Sequence, residues 1–276
     1  MTATSTQASF TGSIPENYDT YLGPLLFEFS AADMARRVSD ALGRTAKVLE
    51  VACGTGISTR HLANTLPDGT EIVATDLNEA MLAHAANVNG EFPGVTYEQA
   101  DALDLPFDDT SFDAVVCQFG IMFFPDKAKG MSEMTRVLKP GGVLALNVWD
   151  SFDRNLAVGI VDRVIKGFFV SDPPRFLEVP FSLYNIEDGR RLFNDAGYKA
   201  VDVTRVAETV ETADHNDPAR GFVTGNPTII EIEQRATVSA DEIVAAAAEA
   251  LEKEFGPAPA KLEFQEIVYL AHKPGN

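Results

Sequence analysis

The sequence of 276 residues predicts a doubly wound α/β fold, with a seven-stranded, mostly parallel sheet and a helical cap built from insertions. Three observations support this fold class. From residue 45 onward, short apolar runs alternate with helical patterns, as in parallel sheets joined by right-handed crossover helices. Most of the apolar runs are continuous, which is typical of strands buried on both faces. Two connections are longer than a crossover needs, so we expect them to form the cap.

The strands follow from these apolar runs. The first five are predicted over residues 47–51, 71–75, 95–99, 112–118 and 143–148. Residues 200–206 alternate apolar and polar side chains, which favours an outer strand of the sheet. Residues 266–272 are almost continuously apolar, so this last strand suits a central position.

The helices are bounded by capping and turn signals. They are predicted over residues 57–66, 79–88, 127–138, 185–196 and 240–255, with a further amphipathic helix over 25–42 before the sheet. Asn78 and Asp126 are suitable N-caps, and Ser239 and Glu242 form a capping box. A Pro-Gly-Gly run at residues 140–142 ends its helix sharply.

We predict one domain over residues 13–276, preceded by a disordered leader of residues 1–12. The leader is rich in Ser and Thr and has no Lys, Arg or apolar run, so it does not resemble a secretory signal. The segments outside the sheet, residues 13–44, 151–183 and 207–262, are expected to build the cap.

The charge and the cysteines narrow the range of partners. A net charge of -19 disfavours nucleic acid as a partner, because nucleic-acid affinity depends largely on Lys and Arg meeting phosphates. No stretch approaches the ~20 consecutive apolar residues that span a bilayer, so we expect a cytoplasmic protein without a membrane partner. Cys53 and Cys117 are predicted to be buried free thiols, and no metal site is expected.

A glycine loop follows the first strand, in the sequence VLEVACGTGIS. Gly54 and Gly56 allow a tight turn, and the next helix points its N-terminus at the loop, where a negative group is favoured. Asp76 comes twenty positions after Gly56, at the end of the second strand. Its carboxylate suits the two hydroxyls of a ribose.

These features alone also fit a dinucleotide site, but two details favour another ligand. The third glycine of the dinucleotide fingerprint is replaced by Thr59. Glu50 lies inside the motif, where it would repel a pyrophosphate. A sulfonium nucleoside has no phosphate and carries a positive centre, so it is the better match, and NAD is not expected to bind.

Five motifs in this order and spacing resemble the class I S-adenosylmethionine-dependent methyltransferases. They are VLEVACGTG, VATDLNEAML, QADALDLPF, SFDAVVCQFGIMFFPD and MTRVLKPGGVLAL, within residues 47–149. The similarity is greatest to the bacterial branch that includes quinone-biosynthesis and natural-product enzymes. It implies the Rossmann-like methyltransferase fold and S-adenosylmethionine as cofactor. Ala52 departs from the pattern, since many members have glycine there; alanine is tolerable at this position if its φ is negative.

The resemblance also implies the roles of the site residues. The loop around the methionine part would be shaped by Glu50, Ala52, Gly54 and Gly56. Asp76 would bind the ribose hydroxyls, Leu77 would pack on the adenine, and Asp101 and the Ala102 amide would bind the adenine edge. The amino group and the sulfonium would face Gln118 and Phe119. The alternative for Leu77, Ala102 and Phe119 is that they are simple core residues. The alternative for Asp101 is that it caps a turn. Tyr18 and Tyr21 either cover the sulfonium by cation–π contact or anchor the N-terminal segment.

The function predicted from this is methyl transfer to a small, apolar or aromatic acceptor. The alternatives are a methyltransferase acting on a macromolecule and a non-methylating protein that binds the same cofactor. No catalytic base is assigned, because alignment alone accelerates such a displacement. His215 and Tyr184 are candidate bases, although the sequence around His215 favours a solvated loop.

The acceptor pocket is predicted between the sheet edge and the cap. The apolar cap residues that suggest it are Phe168, Phe169, Phe176, Phe181, Phe222, Val223, Ile229 and Ile230. The alternatives are that they fill the cap's own core or a homodimer interface. Gly221 and Gly225 would let the second insertion close over bound ligands.

Overall fold

The structure is a computed structural model that describes residues 10, 12–90, 92–235 and 237–275. Its centre is a seven-stranded sheet with the order β3-β2-β1-β4-β5-β7-β6. The strands are β1 Lys47–Val51, β2 Glu71–Asp76, β3 Val95–Gln99, β4 Phe112–Gln118, β5 Leu138–Trp149, β6 Asp202–Thr212 and β7 Ala260–His272. The first five are parallel, and β7 runs antiparallel to both β5 and β6. The predicted fold class is confirmed, with β7 inside the sheet and β6 at its edge.

Helices surround this sheet. They are α1 Ile14–Asn17, a π-helix Tyr18–Phe27, α2 Glu28–Leu42, α3 Ile57–Thr65, α4 Glu79–Asn89, α5 Lys127–Val137, α6 Leu156–Gly167, α7 Ile186–Asp195, α8 Asn216–Thr224, α9 Thr228–Arg235 and α10 Ala240–Phe255. Met34 of α2 and Leu62 of α3 are buried in one core cluster, while Met131 of α5 and Phe193 of α7 are buried in another. Both faces of the sheet are therefore covered, as the continuous apolar strands require.

The N-terminal helix differs from the prediction. A helix was expected over 25–42, but the chain is already helical from Ile14, and its wide π-turns contain Pro24. Proline lacks the N–H of a regular helical turn, and π-turns commonly occur at such irregularities. Of the predicted leader, only Phe10 and Gly12 lie among the described residues. Among the described helices, none has the length and apolar character needed to cross a bilayer.

The last two strands are longer than expected. Thr212 pairs with Ala260, so residues 207–212 and 260–262, which we expected in the cap, extend the antiparallel pair of β6 and β7. The second insertion that leaves the sheet is therefore 213–259 and contains α8, α9 and α10. In this insertion, α10 packs on α8 and on α6 of the first insertion, which makes one helical layer above the sheet edge.

Candidate cofactor and acceptor site

A cavity with a volume of about 290 Å³ lies at the carboxyl ends of the parallel strands. The ends of β1, β2, β4 and β5 and the loop after β3 line one part of it. The three predicted cap segments line another part, with Tyr18, Leu22, Leu26 and Phe27 from the first, Val158, Phe176, Leu177, Pro180 and Phe181 from the second, and Phe222 and Asn226 from the third. Phe10, from the predicted leader, and residues 122–125 after β4 also line the cavity. Open α/β sheets bind their ligands at this edge.

Asp76 lines the cavity at the end of β2. Its Oδ2 accepts a hydrogen bond from the Gly54 amide at 2.9 Å, and its Oδ1 accepts one from the Asn78 amide at 2.8 Å. Burial raises the pKa of this carboxyl, and the backbone amides of Asn78, Gly54 and Leu77 offset part of that rise. Because each carboxylate oxygen has two lone pairs, the carboxylate can still accept a hydrogen bond from a ligand hydroxyl. The geometry suits the ribose role that the sequence predicted.

The turn after β1 passes through three residues with positive φ: Ala52 (58°), Gly54 (58°) and Gly56 (80°). The condition of a negative φ at Ala52 is therefore not met. A left-handed conformation costs a non-glycine residue roughly 1–2 kcal/mol. Gly120 accommodates the alanine methyl, since a Cβ at Gly120 would lie 2.6 Å from the Ala52 Cβ.

Gly56 shapes this turn from outside the cavity, since it does not line the cavity wall. A Cβ added there would lie 2.3 Å from Asn89 Nδ2, so α3 can approach α4 this closely only with glycine at its N-terminus.

Glu50 and Gln118 line a small recess of about 30 Å³ that shares walls with the main cavity. Glu50 Oε2 accepts a hydrogen bond from Thr59 Oγ1 at 2.6 Å. Glu50 Oε1 and Gln118 Oε1 are both buried and have no hydrogen-bond partner among the described residues. Burial, with a smaller contribution from Asp76, raises the pKa of Glu50 to about 7, although the Thr59 hydroxyl lowers it in part. Two buried acceptor oxygens without partners favour a positively charged donor, such as an ammonium group.

Three residues line the main cavity but not this recess: Leu77, Asp101 and Ala102. Leu77 is 52% exposed, which leaves its side chain open to a flat ligand. Asp101 Oδ1 accepts a hydrogen bond from the Leu103 amide at 2.8 Å. Asp101 therefore caps a turn, which was the alternative role considered from the sequence, and it also lines the cavity.

Four rings form what we call the aromatic wall: Tyr18, Phe27, Phe119 and Trp149. Phe119 stacks on Trp149 with ring centroids 4.0 Å apart, and Tyr18 stacks on Phe27 at 4.6 Å. The Phe27 ring meets the Phe119 ring edge-on at 5.7 Å. Aromatic faces attract cations, so this wall fits a positive sulfur as well as an apolar acceptor.

The sequence matches the family described as "Methyltransferase domain" over residues 49–146. A Ubiquinone/menaquinone biosynthesis C-methyltransferase of Idiomarina loihiensis is 42% identical over 175 residues, which is 58% of this chain and 68% of that protein. A demethylmenaquinone methyltransferase of Clavibacter sepedonicus is 42% identical over 100 residues, 36% of this chain and 40% of that protein. The matches thus span from under half to about two thirds of these curated relatives.

The chain belongs to the class I S-adenosylmethionine-dependent methyltransferases. The fold agrees with this assignment. A Haemonchus contortus phosphoethanolamine N-methyltransferase, solved in complex with S-adenosyl-L-methionine, superposes with a TM-score of 0.59 at 21% identity, over 96% of this chain and 58% of that one.

Several residues that the sequence singled out lie away from the methyltransferase cavity. Tyr21 does not line it, because its Cβ faces Gly221 of α8, whereas Tyr18 does. His215 is buried rather than solvated, and its Nε2 lies 2.9 Å from the Gly256 carbonyl oxygen. Tyr184 is half exposed, and neither it nor His215 lines the cavity. The structure therefore does not support either residue as a base.

The apolar cap residues divide into two groups. Phe176, Phe181 and Phe222 line the cavity, whereas the other five that the sequence singled out do not. Gly221 and Gly225 serve close packing, since an added Cβ would lie 2.7 Å and 3.2 Å, respectively, from side-chain carbons of Leu22. This packing explains the two glycines without the hinge that the sequence suggested.

Sequence reasoning missed Phe27 and Trp149, which line the cavity. Trp149 is the single tryptophan of the chain and directly follows a predicted strand, so its position at the sheet edge was a usable signal. Phe27 carried no such signal, because a helical pattern alone does not show which face meets a ligand. Among the described residues, no cluster of His, Cys, Asp or Glu could hold a metal ion.

Proposed function

We propose that the chain transfers a methyl group from S-adenosylmethionine to a neutral aromatic acceptor of the quinol type. The observation that carries this proposal is the division of the cavity. Of the described residues lining it, the only ones with acidic or basic side chains are Asp76 and Asp101, both beside the predicted nucleoside site. The other lining side chains are uncharged, and most of them are apolar or aromatic.

The residues at the sheet edge fit the cofactor. Glu50 and Gln118 would hold the ammonium group in the recess, where both have a buried oxygen without a partner. Asp76 would bind the ribose hydroxyls, and Leu77 with Asp101 would hold the adenine. S-adenosylmethionine supplies a methyl carbon already activated by positive sulfur. What remains for the chain is to align the acceptor and exclude water.

The acceptor end favours a neutral ring. The polar side chain that the second insertion contributes, Asn226, is uncharged and bonds within the insertion: its Nδ2 donates to the Phe222 carbonyl at 2.8 Å and its Oδ1 accepts from the Thr228 amide at 3.0 Å. A charged acceptor would lose its hydration there without compensation. Apolar walls with few polar groups are typical of sites for flat, hydrophobic ligands.

The relatives' names point to a quinone-derived acceptor, and the chemistry selects its redox form. The transferred methyl is an electrophile, so the acceptor carbon must supply an electron pair. A quinone ring is electron-poor, whereas a ring carbon next to a hydroxyl of the hydroquinone is electron-rich. In the transfer, the new C–C bond forms as the S–CH3 bond breaks, and the methylated ring carbon then loses its proton, which ends in bulk water outside the site. We therefore propose the reduced acceptor as the substrate.

The test is transfer of an isotopically labelled methyl group, followed by mass spectrometry. We expect a short-chain demethylmenaquinol to gain the methyl, and the oxidised quinone and phosphoethanolamine to gain none. Phe123 lines the cavity, and its ring stacks on that of Phe176 with centroids 5.8 Å apart. Phe123→Trp should therefore narrow the acceptor end and slow transfer while leaving S-adenosylhomocysteine affinity unchanged. Methylation of phosphoethanolamine with none of the quinol would overturn the proposal.

We also propose that the reaction takes place in the cytoplasm and that no nucleic acid takes part in it. The net charge of -19 supports the absence of a nucleic-acid partner, because it disfavours binding to a polyanion. The homodimer considered from the sequence stays a prediction.

A further inference from the structure

A buried hydrogen-bond chain crosses three neighbouring strands beside the cavity. Asn147 of β5 is fully buried; its Oδ1 accepts from the Phe119 amide at 2.9 Å and its Nδ2 donates to Glu266 Oε2 at 2.5 Å. Glu266 of β7 is also fully buried and pairs in register with Trp149. Asn147 and Glu266 do not line the cavity, whereas Phe119 and Trp149 do.

Phe119 is the residue that needs this support. It has a φ of 52°, which is an unfavourable conformation for a bulky side chain. The turn that follows is tight, since a Cβ at Gly120 would lie 2.9 Å from Cys117 Sγ. The bond from Asn147 fixes the backbone at this point, and the ring then stacks on Trp149.

Glu266 decides which way the Asn147 amide points. An amide side chain has a donor end and an acceptor end, and only the acceptor end can bind the Phe119 N–H. An acceptor at Glu266 keeps the Asn147 donor end on the far side. Without it, the flipped amide would set two donors against each other, and the Phe119 N–H would keep only its longer bond to the Asn147 backbone carbonyl, at 3.3 Å.

Packing does not explain a carboxyl at this position. Among the described residues, no side-chain cation forms an ion pair with Glu266, and its Oε1 has no hydrogen-bond partner. Burial raises the pKa of Glu266 to about 8; the Asn147 and Ser30 side chains lower it, and of the charged groups on α2, Asp33 raises it and Arg37 lowers it. Burying a carboxyl without a cation is costly, and an apolar side chain would avoid that cost. The bond to Asn147 is what the carboxyl contributes.

We infer that Glu266 is a positioning residue: through Asn147 it holds Phe119 and the aromatic wall in the geometry that the cofactor's sulfur requires. The inference rests on the proposed function in one respect, that Phe119 faces the sulfur.

The test compares Glu266→Met, Glu266→Gln and Tyr269→Phe with the wild type. Glutamine keeps an acceptor oxygen, and methionine has similar length without one. Tyr269 is also buried on β7, and its hydroxyl has no partner among the described residues, so its loss breaks no bond there. The readouts are hydrogen exchange of the Phe119 amide by NMR and S-adenosylhomocysteine affinity by calorimetry.

We expect Glu266→Met to speed exchange of the Phe119 amide and to weaken binding by about tenfold, because small misplacements at a site have large effects. Glu266→Gln and Tyr269→Phe should match the wild type in both. A merely structural role would lower the melting temperature of Glu266→Met and leave affinity unchanged in the folded protein, which would overturn the inference.

If Glu266→Met does not fold, hydrogen exchange of the wild-type protein tests the inference. Its Phe119 amide must exchange as slowly as the central amides of β4, and fast exchange would refute the inference. A wild type that binds S-adenosylhomocysteine, passes these tests and methylates nothing would refute only the proposed function.

Discussion

Asp76→Ala is expected to weaken S-adenosylhomocysteine binding by at least about a hundredfold, since hydrogen bonds to a charged group contribute about 1.5–3 kcal/mol each and two are lost. The substitution also removes the acceptor for the Gly54 and Asn78 amides, so the glycine loop loses its anchor. Isothermal titration calorimetry measures the effect.

Two further variants make this result specific. Asp76→Asn retains one acceptor oxygen and should lose less affinity than the alanine variant. Asp68→Ala changes an exposed aspartate in the turn after α3 and should bind as the wild type does. If Asp76→Ala binds S-adenosylhomocysteine normally, the ribose lies elsewhere.

Wild-type affinity for S-adenosylhomocysteine should rise as the pH increases from about 6 to 8. Burial and Asp76 raise the pKa of Glu50 to about 7, so below that pH the carboxyl is protonated in the free protein. The ligand's ammonium group binds the carboxylate form, so binding must expel this proton, at a cost approaching tenfold in affinity per pH unit below the pKa. Calorimetry in buffers of different ionisation enthalpy should show the released proton.

Glu50→Gln should abolish this pH dependence and lower affinity at pH 8 by about a hundredfold, since a buried charge left without its partner costs several kcal/mol. Glu252→Gln, an exposed residue of α10, is the control and should keep the wild-type profile. Retention of the pH dependence in Glu50→Gln would show that another group titrates.

The same carboxyl affects folding. Its pKa is raised from 4.5 to about 7 in the folded protein, so the stability present below 4.5 is lost as the pH rises through about 7. A bound cationic ligand should offset that loss by stabilising the carboxylate.

Much of the site was readable from the sequence because its residues follow strand ends at short, fixed spacings. Asp76 and Gln118 end parallel strands, and such ends meet at one edge of the sheet. The φ of Ala52 could not be predicted, because the residue type alone does not fix the backbone angle. The turn after β1 requires a left-handed residue there.

The residues that could not be predicted depend on contacts between distant segments. Tyr18 rather than Tyr21 lines the cavity because the π-helix packs against α8 through Gly221. The bond between Asn147 and Glu266 joins residues 119 positions apart, and the register of β5 and β7 brings them together. His215 looked solvated among polar neighbours, yet the fold buries it against the Gly256 carbonyl.

The most direct test of the account is a crystal structure with S-adenosylhomocysteine and a short-chain demethylmenaquinol. The account predicts density for the ribose at Asp76, the amino group in the recess of Glu50 and Gln118, and the sulfur beside the aromatic wall. The acceptor ring should lie among Phe176, Phe181 and Phe222, with a ring carbon facing the sulfur. An acceptor bound outside this cavity, or a nucleoside away from Asp76, would contradict it.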